Sequence, residues 1–388
     1  MRSKKPQLFS STQCGACGLS KHCKSPKMPF RGEGRKRILL VGEAPGSTED
    51  LMNEQFVGKS GKRLRYELKQ FGIDINRDCW KTNAVRCHPE ENKTPNSKTI
   101  AFCRPALFRE IRQLQPENIL LFGSVSTESV LHHLWGSGRS IDLTSWLGWI
   151  IPCQELNAWI SVHYHPSYLE RQSDPLLDRL FRKDLEAVLK KKGRPWKQVP
   201  NFADTVERLY KSSSVIKALR DMKGEVAFDY ETNCLKPEYH GGQIISCAIS
   251  NGDRTYAFPL MGEMMDAMSA FLKGEVKKIG ANIKFEDRWT RWVFKHPVRN
   301  WSWDTMLAAH VLNNNQGVSG LKFQAFVQFG QASYDRHIEP WLKVGQGYLN
   351  RIGEIPIKDL LLYNGIDAKL TFELAKKQRS MLKQGDKR

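Results

Sequence analysis

Acidic side chains in the second half of the chain have the types and spacings of a site for divalent metal ions. Asp229 and Glu231 are two positions apart in the strand-like segment FDYET, so their carboxylates point to the same face. Tyr363 and Asp367 are four positions apart in a predicted helix and also share one face. Oxygen ligands of this kind suit magnesium or manganese rather than cysteine-bound zinc. Each pair alone is more often a solvated face, but the combination favours a metal site.

Cysteines in the first half of the chain form a second candidate metal centre. Cys14 and Cys17 make a CxxC pair, and Cys87 and Cys103 are sixteen positions apart. Four thiolates suffice for one centre, and the wide second spacing fits an iron-sulfur cluster at least as well as zinc. Cys23 is close enough to Cys17 in sequence to be a substitute ligand, so the spacing alone leaves the ligand set and the metal open. The remaining cysteines are expected to be inert buried thiols: Cys79, Cys153, Cys234 and Cys247.

Alternating apolar runs and helix-like stretches predict the elements that position these residues. In the first half, RILLVGEAPG and ENILLFGS precede helix-like segments, as in a parallel α/β sheet flanked by helices. In the second half, EVAFDYET and QIISCAISN read as strands and DTMLAAHVL as a helix, so this half is also α/β. The segment from Leu189 to Phe202 contains two prolines, a glycine and a lysine run. We therefore predict a first domain over residues 1–188, a basic linker over 189–202 and a second domain over 203–388.

The charge balance points to a polyanionic partner. The 388 residues carry a formal net charge of +19, mostly in the first half, and nucleic acid is the usual partner of such a chain. With 40% hydrophobic and 26% charged residues, the composition excludes gross disorder. No segment approaches the roughly 18 apolar residues of a membrane span, so we expect a cytoplasmic protein without a membrane partner.

Three further motifs surround the cysteines in the order GEAPGSTED, TNAVRCHP and HPSYLER, and FVGKSG lies between the first two. This layout resembles the iron-sulfur uracil-DNA glycosylases of the family 4 type, over roughly residues 12–187. The resemblance implies a uracil-DNA glycosylase fold. It also implies a [4Fe-4S] cluster, held by Cys14, Cys17, Cys87 and Cys103. Cleavage of a glycosidic bond moves no electrons, so the cluster is expected to be structural.

The same resemblance assigns roles to pocket residues. A glycosylase must take the base out of the stack, read its edge and stabilise the departing uracil anion. Asn83 would read uracil O4 and N3–H, and Phe56 would stack on the flipped base. His165 would donate a hydrogen bond to uracil O2 as negative charge develops there. Leu169 would be the apolar wedge that fills the vacated stack.

Two glutamates complete the predicted pocket. Glu43 would position water or shape the pocket. The best-known uracil-specific glycosylases carry their water-activating Asp one position later, where this chain has Ala44, so the general base stays open. Glu49 would help to exclude the methyl group of thymine.

The second half resembles the 3'-5' exonuclease domain of family A DNA polymerases, of the type with four acids and a tyrosine (DEDDy), from about residue 203 to the end. The resemblance implies a ribonuclease H-like fold in which Asp229, Glu231 and Asp367 hold two Mg²⁺ or Mn²⁺ ions. Tyr363 would orient the attacking water. Asp304, in WDTMLAAHVL, is expected to cap a helix rather than to bind metal.

The third acid of the exonuclease site has two candidates in NIKFEDRW. The family usually has Asp four residues after the Asn, and here that position holds Glu286, followed by Asp287. Either the longer carboxylate serves, or a shift of one residue brings Asp287 to the metal; the spacing favours Glu286. Asn282 itself is expected to contact the DNA substrate. A weakened or lost exonuclease is the alternative.

The two resemblances together predict an enzyme that acts on uracil-containing DNA and on 3' ends. In the rival hypothesis one domain, more readily the first, is catalytically silent and serves as a DNA-binding or replisome-docking module. The presence of both Asn83 and His165 favours catalysis. Because 21 residues follow Asp367, fewer than the roughly 50 of a small domain, we expect a separately encoded family A polymerase as partner, in a bacterial or phage-infected cell.

Overall fold

The chain divides into two units, Met1–Val199 and Pro200–Arg388. The structure, a computed structural model, describes residues 13–136, 141–344, 347–383 and 385. Each unit contains its own β-sheet with helices packed against it, which confirms the predicted α/β class. Residues 190–201 contain neither helix nor strand.

The first unit is built on a five-stranded sheet with the strand order β2-β1-β3-β5-β4. All neighbouring strands are parallel except β4, which runs antiparallel to β5 at the sheet edge. The predicted parallel sheet is therefore confirmed, with one antiparallel edge strand added. The strands are β1 Ile38–Gly42, β2 Cys79–Asn83, β3 Asn118–Phe122, β4 Ile150–Cys153 and β5 Ala158–His163.

Helices cover this sheet because its central strands are apolar on both faces. All five residues of β1 and of β3 are buried, the pattern of a parallel sheet enclosed by helices. Leu40 and Phe122 belong to a core that also contains Phe181 and Leu185. The helices are α1 Cys14–Cys17, α2 Ser47–Met52, α3 Lys59–Gln70, α4 Ser97–Leu114, α5 Ser124–Trp135, α6 Leu143–Trp146, α7 Pro166–Gln172 and α8 Pro175–Leu189.

The second unit contains a six-stranded mixed sheet with the order β11-β10-β7-β8-β9-β6. The strand β8 runs antiparallel to its neighbours β7 and β9, whereas β10 and β11 continue the sheet in parallel with β7. This mixture agrees with the expected ribonuclease H-like exonuclease fold. The strands are β6 Val206–Arg208, β7 Glu225–Thr232, β8 Ile244–Ser250, β9 Thr255–Pro259, β10 Lys277–Gly280 and β11 Trp301–Asp304.

A long C-terminal helix, α15, packs against β7, β8 and β9. Its middle is buried on several sides, because Leu361 and Ala368 pack against Ala248 and Ala257 of the sheet. This packing brings a helix from the end of the chain next to the strand that carries the first two acids. The helices are α9 Ser212–Asp221, α10 Glu263–Lys273, α11 Ile283–Phe294, α12 Thr305–Leu312, α13 Leu321–Phe329, α14 Glu339–Leu342 and α15 Ile357–Lys383.

Asp304, at the end of β11, caps α12, as the sequence predicts. Its side chain accepts hydrogen bonds from the backbone N–H groups of Met306 and Leu307. The same carboxylate accepts from the N–H groups of Asn282 and Ile283 at the start of α11. One side chain therefore joins the first turns of two helices.

None of the helices within the described residues has both the length and the apolar character that crossing a bilayer requires.

Candidate active sites

A cavity of about 350 Å³ lies at the carboxyl edge of the first sheet. Glu43 follows β1, Asn83 is the last residue of β2, and His165 lies two positions after β5. Because the carboxyl ends of parallel strands meet at one edge, motifs that are distant in sequence line the same cavity. Glu49 and Phe56 line it as well, so the structure brings five of the predicted glycosylase residues together.

Gly42 allows the amide of Asn83 and the ring of Phe56 to approach each other. A Cβ atom at position 42 would lie 2.4 Å from Oδ1 of Asn83 and 3.1 Å from Cζ of Phe56. Phe56 itself has a positive φ of 57° and is buried, with its ring in edge contact with Phe122 at 6.2 Å. Asn83 is only 5% exposed. The two side chains are thus held in place by packing before any ligand binds.

His165 is the N-cap of α7 and is oriented by its own helix. Its Nδ1 accepts a hydrogen bond from the backbone N–H of Ser167 at 3.3 Å and lies 2.7 Å from the Ser167 hydroxyl. Arg171 donates to that hydroxyl at 3.1 Å. Burial, aided by the Arg171 charge, lowers the pKa of His165 to about 4. The imidazole is therefore neutral at physiological pH, with Nδ1 as acceptor and its proton on Nε2.

The two pocket glutamates have different surroundings. Burial raises the pKa of Glu43, and the positive charge of Arg171 opposes that shift. Glu49 accepts a hydrogen bond from the backbone N–H of Gly58 at 2.7 Å, which links α2 to the start of α3. A Cβ at Gly58 would lie 2.9 Å from that carboxylate. Glu49 is therefore a fixed wall of the cavity.

Leu169, the predicted DNA wedge, lies in the core of the first unit and not at its surface. The side chain is 2% exposed and packs in a cluster with Phe181 and Leu185. A wedge enters the base stack from the protein surface, so Leu169 would have to leave this core to fill that role. Helix periodicity explains the placement, because the buried face of α7 includes the fourth position after His165.

The structure also adds two residues to the pocket that the sequence did not single out. Ser167 and Arg171 both line the cavity, and both act on His165 through the contacts given above. The signal was present in HPSYLER, where Arg171 stands four positions after Ser167 and thus on the same helix face.

Four cysteines surround a second cavity in the first unit, of about 220 Å³. Cys14 and Cys17 lie on α1, Cys87 follows β2, and Cys103 lies on α4. Burial is the main cause that raises the pKa of Cys87 to about 12 and that of Cys103 to about 11. The Lys27 backbone N–H donates to the Cys87 sulfur at 3.2 Å. Cys23 also interacts with Cys87, so all five candidate thiols meet here.

The spacing of the cysteine sulfur atoms leaves room for a centre larger than a single zinc ion. In the described part of the chain, no three cysteine sulfurs lie within 4.8 Å of one another. Three thiolates on one tetrahedral zinc ion, each at about 2.3 Å, would lie roughly 3.8 Å apart. The cysteines therefore surround a wider space than one zinc ion needs, which fits a polynuclear iron-sulfur cluster.

Three acids of the second unit meet in one cluster. Asp229 and Glu231 on β7 and Asp367 on α15 each offer an oxygen, and these oxygens lie within 4.8 Å of one another. Burial, followed by the charge of Asp367, raises the pKa of Asp229 to about 8. Burial also raises the pKa of Glu231 well above its usual range. Carboxylates held this close repel one another unless a cation compensates them, and divalent ions can supply that compensation.

Asn364, one turn before Asp367 on α15, fixes the orientation of the first acid. Its amide donates to Oδ2 of Asp229 at 2.8 Å, and its carbonyl oxygen accepts from the Ser246 hydroxyl at 3.0 Å. Asn364 is fully buried. Asn364 was not predicted from the sequence, because an asparagine next to Tyr363 in YNGID carries no spacing signal of its own.

The structure separates Glu286 from Asp287. Glu286 is 2% exposed, its Oε2 has no hydrogen-bond partner, and Asp229 is the charge that most raises its pKa after burial. Asp287 instead accepts from Arg291 at 2.6 Å and from the backbone N–H of Val298 at 2.9 Å. Glu286 thus faces the acid cluster but lies outside the three-oxygen group, and Asp287 is engaged in a local ion pair.

Two aromatic residues and a lysine complete the surroundings of Asp367. Tyr363 is buried, and the nearby charges of Asp367 and Glu231 help burial to raise its pKa well above the usual range. Tyr334 and Lys322 both donate hydrogen bonds to Oδ1 of Asp367.

Asn282 is the N-cap of α11 in a left-handed conformation, with φ 75°. Tyr363 and Asn282 were predicted from the sequence, whereas Tyr334 and Lys322 were not.

Comparisons with known proteins identify both units. The family described as "Uracil DNA glycosylase superfamily" matches residues 29–189, and the family described as "3'-5' exonuclease" matches residues 204–383. A type-4 uracil-DNA glycosylase of Pyrobaculum aerophilum is 30% identical over 172 residues, or 44% of this chain and 86% of that protein. The type-4 uracil-DNA glycosylase of Thermotoga maritima is 31% identical over 195 residues, or 47% and 92%.

One relative spans both units. A DNA polymerase of Bacillus phage SP01 is 24% identical over an alignment of 403 positions, which covers 94% of this chain and 42% of the polymerase. The chain thus corresponds to less than half of that polymerase.

Proposed function

Because the chain belongs to the type-4 uracil-DNA glycosylase family and also carries a 3'-5' exonuclease domain, we propose that it performs two reactions on DNA. The first unit removes uracil by hydrolysis of the N-glycosidic bond, and the second degrades DNA from 3' ends. One observation carries the proposal. In each unit, side chains from distant motifs converge in the chemistry the reaction needs: an amide and a neutral imidazole in the first, three carboxylates in the second.

In the glycosylase, Asn83 and His165 act on the base itself. The Asn83 amide presents a donor and an acceptor to uracil O4 and N3–H, against the ring of Phe56. His165 donates from Nε2 to uracil O2 as the bond to the sugar breaks. Ser167 holds this neutral donor in place, so no free energy is needed to reorient it when negative charge develops on the base. Glu43, in the same cavity, positions the attacking water, and Glu49 narrows the space beside the base.

In the same unit, Cys14, Cys17, Cys87 and Cys103 hold a [4Fe-4S] cluster. The cluster supplies cross-linking rather than redox chemistry, since the reaction transfers no electrons. The cysteines come from α1, the segment after β2 and α4, so these three parts of the chain would be fixed together. The segment after β2 begins next to Asn83, and its attachment supports the geometry of the uracil pocket.

In the exonuclease, Asp229, Glu231 and Asp367 hold divalent metal. Glu286 is close enough to Asp229 for the two charges to interact. Two Mg²⁺ or Mn²⁺ ions, when bound, supply a hydroxide for in-line attack on the phosphodiester and stabilise the leaving 3' oxygen. Asn364 keeps the Asp229 carboxylate turned into the cluster. Tyr363 orients the attacking water, and Asn282 contacts the DNA strand.

A single substrate tests both reactions. A 5'-labelled duplex with one internal uracil is incubated with EDTA and then treated with alkali, which breaks the strand at an abasic site. We expect one discrete product, because the glycosylase step uses no divalent ion. With Mg²⁺ we expect an additional ladder that shortens from the 3' end.

Matched variants separate the two sites. Asn83→Ala should remove the alkali-sensitive product and leave the ladder, whereas Asp229→Ala should do the opposite. A wild-type chain that makes the ladder but never the alkali-sensitive product would refute the glycosylase proposal and favour a silent docking module.

A DNA polymerase is the partner that these activities call for. Similarity to a phage DNA polymerase over 94% of the chain supports a role in DNA synthesis. We expect the second unit to proofread for a family A DNA polymerase. Addition of the chain to that polymerase should lower its misincorporation rate, and Asp229→Ala should not. Equal fidelity with both proteins would favour a repair enzyme that works alone.

A further inference from the structure

The side chain of Lys322 on α13 extends into the acid cluster of the second unit. Its ammonium group donates hydrogen bonds to Oδ1 of Asp367 and to the hydroxyl of Tyr334 at 2.8 Å. Tyr334 donates to the same carboxylate oxygen. Asp367 is therefore held by two donors from a part of the chain between β11 and α15.

Aromatic rings enclose the ammonium group of Lys322. Nζ lies 4.2 Å from the centre of the Tyr334 ring and 4.3 Å from that of Tyr363. The lysine side chain is 23% exposed and the Asp367 side chain 7%, so water screens this ion pair much less than a surface salt bridge. Cation–π contacts to two rings keep the charge in place.

The lysine charge compensates more than one acid. Burial raises the pKa of Asp229 and of Glu231, and the positive charge of Lys322 opposes both shifts. Without a divalent ion, carboxylates within 4.8 Å of one another need such a cation to remain packed together. A divalent ion at the same oxygens makes the ammonium unnecessary there, and the two like charges repel each other.

We propose that Lys322 is a resident counter-cation of the exonuclease site, which holds Asp367 in the metal-free protein and is displaced when Asp367 binds a divalent ion. The inference rests on the proposed metal-dependent exonuclease. Lys322 is thus a positioning residue that keeps the acids in place between catalytic cycles. Its presence lowers the affinity of the site for divalent ions, because an ion must displace it from Asp367. The two tyrosine rings already contact the ammonium group, and these contacts do not depend on its hydrogen bond to Asp367.

Metal binding without DNA tests the proposal. Mn²⁺ affinity is measured by electron paramagnetic resonance of free Mn²⁺ at constant pH, for the full chain and for Lys322→Met. We expect Lys322→Met to bind Mn²⁺ roughly tenfold more tightly, since the charge-assisted hydrogen bond to Asp367 no longer has to be broken. In EDTA the same variant should melt at a lower temperature, because the acids then repel each other without compensation.

Two further variants control for charge and packing. Lys322→Arg retains the charge and should bind Mn²⁺ close to the wild-type affinity. Lys369→Met removes another buried lysine, paired with Glu373 at 2.8 Å, and should leave the Mn²⁺ affinity unchanged. Should Lys322→Met fail to fold, Lys322→Gln carries the same test with a polar side chain.

The outcomes separate this inference from the function on which it rests. Mn²⁺ affinity in Lys322→Met and Lys322→Gln equal to or weaker than that of the wild type would overturn the counter-cation role and leave the exonuclease standing. No Mn²⁺ binding by the wild-type chain would overturn both.

Discussion

The substitution Gly42→Ala probes the geometry of the uracil pocket without removing any functional group. The added methyl would lie 2.4 Å from Oδ1 of Asn83, whereas ordinary contacts begin at 3.4 Å. The amide must therefore move by about 1 Å, and a misplacement of this size costs on the order of 10²-fold in rate. Position 42 has no positive φ, so the backbone itself accepts alanine.

Single-turnover release of uracil in EDTA measures this loss, and the double variant with Asn83→Ala assigns its cause. Asn83→Ala alone should cost on the order of 10²- to 10³-fold, as expected for one preorganised donor. If Gly42→Ala acts by displacing that amide, it should cost little more in the Asn83→Ala background. Unchanged melting temperature and visible absorbance would show that the fold is intact. A full rate in Gly42→Ala, or two losses that simply multiply, would refute the reasoning.

Three other outcomes follow from the sites. The purified protein should be brown, and Cys87→Ala should abolish the colour and the iron content; a colourless protein with stoichiometric zinc would contradict the cluster. Glu286→Ala should reduce exonuclease activity far more than Asp287→Ala, because only Glu286 faces Asp229; equal, mild losses would exclude both from the metal site. Protonation of His165 should limit uracil excision only near its pKa of about 4, because a proton on Nδ1 removes the acceptor for the Ser167 N–H that orients the ring, and Arg171→Met should raise that limit. A limit near 6.5 that Glu43→Gln leaves unchanged would mean that His165 is not buried.

Residues at the ends of strands were predictable from the sequence. Asn83 ends a strand and His165 follows one, and parallel strands bring such positions to one edge whatever their separation in the chain. Side chains alternate between the two faces of a strand, so the two-residue spacing of Asp229 and Glu231 placed both on one face. These predictions depend only on local periodicity and on one general rule of sheet geometry.

Residues whose position depends on packing were not predictable. Leu169 has an apolar side chain and a spacing from His165 that suit a wedge, yet its side chain packs in the core of the first unit. Lys322 and Tyr334 reach Asp367 from a segment that carries no motif, and only the packing of α13 on α15 brings them there. Glu286 and Asp287 are adjacent in sequence, so only the orientation of α11 decides which of them faces the acids.

The orientation of α11 is itself tied to another helix. Because the single carboxylate of Asp304 serves the N-termini of α11 and α12, neither helix can pivot without breaking hydrogen bonds to the other. The position of Glu286 on the first turn of α11 therefore depends on a carboxylate that belongs to the start of α12. Loss of the Asp304 side chain would remove the caps of both helices at once.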